Sequence, residues 1–156
     1  MRVLIAVKGS EPESFLQQAV TLVGRDGLEM MLLAHVIDVG HRDQVEMGRE
    51  RYLGRRHLGQ ARAENLWQAE QDGARMDLLQ ARQTLISAGV PERVVHEVIL
   101  QGRPNEVLRE LAERERVDVI VVSGRPGKPG PHSLGKTARF LVDHAPRAAL
   151  LIRPSA

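Results

Sequence analysis

The sequence predicts a single α/β domain over residues 1–156, a doubly wound, three-layer arrangement of a five-stranded parallel sheet with helices on both faces. Three observations carry that prediction. Five short aliphatic runs rich in β-branched residues, at 3–7, 30–36, 94–100, 117–122 and 148–152, read as strands. Helical periodicity fills each interval between them. Strict alternation of the two selects right-handed parallel crossovers, which put helices on both faces of one open sheet.

Each element has its own signal. The first and fourth runs are nearly continuous in apolar residues, as central strands covered on both faces require. The third is interrupted by His96 and Glu97 and belongs nearer an edge. Ser10-Glu11-Pro12-Glu13 opens the first helix, with Ser10 as cap, Pro12 in the first turn and Glu13 completing a capping box. Phe15, Ala19, Leu22 and Val23 form its inward face, and Gly24 stops it. A long helix over 59–88 sets Ala74, Leu78, Ala81, Leu85 and Ala88 at helical spacing before Gly89. A third helix starts near Pro104, with Val107, Leu108, Leu111 and Ala112 inward. The fourth covers 134–144, with Leu134, Ala138, Leu141 and Val142 inward. Residues 38–59 are polar and arginine-rich (Arg49, Arg51, Arg55, Arg56) and read as a long connection whose interleaved Glu46 and Glu50 dilute its field.

Composition narrows the chemistry. The aromatic residues are Trp67, Tyr52, Phe15 and Phe140, so the core is aliphatic and a base-stacking platform is lacking. The 22 basic residues nearly cancel the 20 acidic ones, which gives no footprint for a polyanionic partner, and no nucleic acid is expected. Absence of cysteine excludes disulfides, thiolate metal sites and thiol catalysis. No run approaches the roughly 20 apolar residues of a membrane span, and the start of the chain lacks a signal-peptide pattern. The expectation is a cytoplasmic protein without a membrane partner. The six histidines show no zinc spacing, and no nucleophile, base and orienting group can be assembled, so neither a metal site nor catalysis is expected.

In doubly wound sheets ligands bind beyond the carboxyl ends of the strands, where strand order reverses. The relevant places are the turn after Val7, the residues after Val36 and the loop after Val122. That last loop, 123–137, is rich in glycine and leads into the final helix. Glycines let a ligand approach the backbone closely, and a helix start offers free N–H donors to an anion. Arg125, Ser133, Lys136 and Thr137 can add charge-assisted or hydroxyl hydrogen bonds. Residues 130–137 also satisfy G-x-x-x-x-G-K-T, the pattern of phosphate loops in nucleoside triphosphatases. Two features oppose that reading. The match does not follow its strand directly, and Pro131 removes a donor from the cradle.

The opening 3–11 with Gly9-Ser10-Glu11, His35-Val36-Ile37-Asp38 after the second strand, Gly102-Arg103-Pro104 before a helix, and Gly135-Lys136-Thr137 through His144-Ala145-Pro146 into 148–152 together resemble the universal stress proteins. The resemblance spans nearly the whole chain. It implies a Rossmann-like sheet in strand order 3-2-1-4-5, a homodimer paired through 148–152, and a regulatory role in stress response. One branch of that family binds ATP or a related adenine nucleotide such as AMP, with magnesium, through a G-x2-G-x9-G-[ST] loop. Carried over residue by residue, the candidate site is Ala6, Val7, Lys8, Gly9 and Ser10 after the first strand, Val36 beside the adenine, and Ser123, Gly124, Arg125, Gly127, Ser133, Gly135, Lys136 and Thr137. Three departures stand out. Seven residues rather than nine separate Gly127 from Gly135, Lys136 replaces the small hydroxyl residue, and Lys8 replaces the usual aspartate. A lysine cannot accept the hydrogen bonds of a nucleoside, but it can pair with a phosphate. The alternative is an interaction module of the same fold that binds no nucleotide.

Overall fold

The computed structural model describes residues 1–39, 56–125, 127 and 129–154, with only the backbone for 56–63. The strands are β1 (Arg2–Ala6), β2 (Met30–Asp38), β3 (Val95–Gly102), β4 (Val119–Ser123) and β5 (Ala148–Ile152). They alternate with α1 (Glu13–Val23), α2 (Arg56–Ser87), α3 (Pro104–Arg114) and α4 (Lys136–His144). All four pairings are parallel and the sheet order is β3-β2-β1-β4-β5. The strand interrupted by His96 and Glu97 is indeed an edge. The arginine-rich stretch from 40 to 55 lies outside the described residues, as do Pro126 and Lys128.

Period-two alternation along the central strands makes two separate aliphatic cores. Val3, Ile5 and Val7 join Met31 and Leu33 against Phe15, Ala19, Leu78 and Leu85 of α1 and α2. Leu4 and Ala6 join Leu32 and Ala34 on the other face, against Leu108, Leu111, Ala138 and Leu141 of α3 and α4. Each fully buried aliphatic side chain contributes about 1.5–3 kcal/mol, so these two layers hold the strand ends in fixed relation. At the amino ends of the strands, Arg2 N–H donates to Asp118 Oδ2 at 2.7 Å and Asp118 N–H donates back to Arg2 O at 2.8 Å, tying β1 to the entry of β4.

Two expectations fail at the helix faces, and one at a helix start. Leu22 is 63% exposed and Val142 is 43% exposed. Both sit at the margins of their apolar stripes, beyond the strip that the neighbouring layer covers, although helical spacing alone places them inward. Helix α1 begins at Glu13 with Pro12 at its cap position and no side-chain cap, so the box between Ser10 and Glu13 does not form. Glu11 turns back instead. Its carboxylate accepts the Lys8 N–H at 2.8 and 3.0 Å and the Gly9 N–H at 2.9 Å, closing the turn after β1. At the other end Gly24, at φ 83°, terminates α1 by donating its N–H to Val20 O.

Candidate functional site

The site grows from the carboxyl ends of β1 and β4, which are hydrogen-bonded neighbours at the point where strand order reverses. β1 ends at Ala6, so Lys8 stands just beyond the sheet. β4 ends at Ser123, so Gly124 and Arg125 stand beyond it on the adjacent strand. Gly124 N–H donates to Ile152 O at 2.8 Å, and Arg125 N–H to Ser133 O at 3.0 Å. These two bonds fold the glycine-rich loop back, bringing Gly135 and the start of α4 over the strand ends.

A cleft of about 270 Å³ results. Of the residues expected from the sequence, Lys8, Ser10, Ser123, Gly124, Arg125, Gly135, Lys136 and Thr137 line it. Its focus is Gly135. A Cβ placed on that glycine would lie 3.8 Å from Lys8 Nζ and 3.9 Å from Arg125 Nε, so two cations from separate strand ends converge on one point. Gly135 is also the cap residue of α4, with no side chain capping the helix, so the first-turn N–H donors and the positive end of the helix dipole face the same space. Among the described residues no carboxylate pairs with Lys8, Arg125 or Lys136. Two cations within 4 Å of one point repel by on the order of 1 kcal/mol in a partly solvated cleft, which an anion at that point relieves.

Other expected residues stand elsewhere. Ala6 and Val36 face the core beneath α3 and α4. Val7 and Gly9 line a smaller cavity of about 120 Å³ between α1 and α2, on the opposite side of the β1 turn. There a Cβ on Gly9, at φ 88°, would run into the Asp77 carboxylate, so any side chain at this position requires Asp77 to move aside. Gly127, at φ 126°, lies in the loop away from the cleft lining. Ser133 is buried, and its hydroxyl accepts from Arg153 Nη2 at 2.9 Å, so it braces the loop from behind. Sequence reasoning missed Glu11, Pro12 and Pro154 in the lining and Arg153 as a support. Glu11 was legible in part, as an acid two residues beyond a turn glycine; Arg153 carried no local signal.

Among the described residues no three metal-ligating side chains gather, and no helix is long and apolar enough to cross a membrane. Fold and cleft together define a doubly wound α/β protein whose switch point gathers Lys8, Arg125 and Lys136 at a helix start. The sequence matches the model of the Universal stress protein family over residues 1–153, and the chain belongs to that family. No curated protein matches it significantly. Among solved structures, the universal stress protein UspA from Lactobacillus plantarum is 22% identical with a TM-score of 0.70, covering 98% of this chain and 97% of its own. A family member from Arabidopsis thaliana with AMP bound is 18% identical, TM-score 0.61, covering 100% and 93%. The Archaeoglobus fulgidus protein in complex with dAMP is 16% identical, TM-score 0.61, covering 97% of each chain. At such identities the likeness speaks for the fold.

Proposed function

We propose that this chain is a regulatory binding module that takes an adenine nucleotide into the cleft between β1 and β4, with its phosphates toward α4. The observation that carries the reading is the convergence of Lys8 and Arg125 on Gly135 at an uncapped helix start, where neither forms an ion pair with a carboxylate among the described residues. Family members solved with AMP and dAMP support it by analogy. Magnesium accompanies the ligand when that is a triphosphate. The role is binding rather than turnover. Glu11, the carboxylate in the lining, is held by two backbone amides and is poorly placed to activate water. The protein works as a cytoplasmic homodimer in a stress response. β5 ends the sheet, and pairing that edge with a second copy covers it.

Titration calorimetry with ATP and magnesium, run beside a thermal melt, tests the central claim. A ligand at a hundredfold its Kd stabilises by about 2.7 kcal/mol, which raises Tm by several degrees in a domain of this size. No heat and no rise in Tm at millimolar nucleotide refutes it. Phosphate release above a no-protein blank refutes the binding-only role, and a monomer by light scattering at micromolar concentration refutes the dimer.

A further inference from the structure

We propose that the cleft recognises a chain of two or more phosphates rather than a nucleoside, and that Lys8 sets this preference. The inference deepens the nucleotide reading above and rests on it. Three observations point the same way. First, Lys8 Nζ and Arg125 Nε share the space over Gly135, and Lys136 lines the same cleft, so three positive charges face one helix start. The Glu11 carboxylate lines the cleft too, but it is turned onto the Lys8 and Gly9 amides; a diphosphate or triphosphate, with three or four negative charges, can pair with all three cations, which the two charges of a monophosphate cannot.

Second, the apolar strand-end residues expected beside a nucleoside stand away from the cleft. Val36, Ala6 and Val7 do not line the cleft. The carboxylate that does, Glu11, already accepts the Lys8 N–H, shared between its two oxygens, and the Gly9 N–H, which occupies part of its acceptor capacity. Among the described residues, the side-chain acceptors left in the lining besides Glu11 for a ribose hydroxyl or an adenine amino group are the neutral hydroxyls of Ser10, Ser123 and Thr137. Third, the cleft measures about 270 Å³. Pockets that enclose a whole drug-sized ligand run to about 300–1,000 Å³, so the space suits the phosphate chain while the rest of a nucleotide lies outside.

The test is a calorimetric titration of the full chain with ATP, GTP, ADP, AMP, adenosine and inorganic tripolyphosphate, with and without magnesium. Tripolyphosphate binds within about tenfold of ATP, AMP binds at least about thirtyfold more weakly than ATP, and adenosine gives no signal, as expected when charge-assisted contacts dominate. Lys8→Ala narrows the ratio of ATP to AMP affinity by about tenfold, the worth of one such contact. Lys8 is exposed, so its variant keeps the parent's Tm without ligand. A tripolyphosphate affinity above those of both ATP and GTP supports the inference with a free phosphate chain as the source, and a higher ATP affinity supports it with a nucleotide. Equal binding of ATP and AMP, or failure of tripolyphosphate to bind, overturns the inference and leaves the nucleotide reading standing. An unchanged ratio in Lys8→Ala overturns the role of Lys8. Silence with every nucleotide and with tripolyphosphate overturns both.

Discussion

Replacing Gly135 with alanine separates binding from folding. Gly135 is buried, with φ −67° and ψ 164°, a conformation open to any L-residue. The added methyl meets Lys8 Nζ at 3.8 Å and Arg125 Nε at 3.9 Å, ordinary contact distances that require no backbone shift. Alanine restricts the unfolded chain and thereby stabilises by about 0.4–1 kcal/mol. It is a poorer helix cap than glycine by about 0.5–1 kcal/mol. These terms offset, so net stability stays within about 0.5 kcal/mol and Tm within about 2 °C. Binding responds differently, because the methyl stands where the two cations converge. A phosphate held off by its thickness loses part of the helix-dipole attraction and of the charge-assisted contacts. The combined loss is about 2 kcal/mol, or roughly thirtyfold in Kd. Calorimetric titration with ATP beside a melting curve reads both quantities. An ATP affinity equal to the parent's refutes the placement of the anion, and a Tm drop beyond about 6 °C refutes the packing argument.

Glu11→Gln acts on the same cleft in two opposed directions. It weakens the clasp on the Lys8 and Gly9 amides, costing about 0.5–1.5 kcal/mol of stability, yet removes the negative charge from the lining and raises ATP affinity several-fold; a fall in both melt and titration contradicts this. Nucleotide affinity decreases as salt rises from about 0.05 to 0.3 M because exposed charges are screened, and a salt-independent Kd argues against the cationic cleft. The Arg2 backbone N–H, aided by Arg147 and opposed by partial desolvation, holds the Asp118 carboxyl below its ordinary value of 3.8. Asp118 therefore stabilises the fold above that value, and its contribution is lost as pH falls through the lower folded one. Asp118→Asn should flatten this acid limb, and an unchanged acid-unfolding profile by circular dichroism dismisses the linkage. Leu85→Ala, at a fully buried position, costs about 2–5 kcal/mol. Leu22→Ala, at a 63% exposed one, stays within about 0.5 kcal/mol, so equal losses in denaturant melts contradict the burial assignment.

Much of this fold is legible because its signals are local. The run from Val3 to Val7 alternates between two cores, and Ala74, Leu78, Ala81 and Leu85 repeat at helical spacing whatever surrounds them. His96 and Glu97 mark β3 as an edge because charge is not tolerated on a strand covered twice. Leu22 and Val142 misled for the complementary reason. Periodicity identifies a face, but its width depends on the neighbour it packs against.

The sequence by itself determined the order of strands and helices, the two-faced aliphatic core, and a glycine loop ending at the start of α4. Each is an outcome of short-range periodicity and turn chemistry. Tertiary structure alone decided which of the candidate residues meet. Lys8 and Gly135 are brought together only because β1 and β4 are adjacent in the sheet, and Arg153 reaches Ser133 only because β5 lies beside β4. It also decided that Glu11 folds onto the turn after β1 while Ser10 and Glu13 form no capping box, and that Val36 faces a core rather than the cleft. Long charged side chains take their direction from the space and charge around them, and that environment exists only once distant strands are side by side.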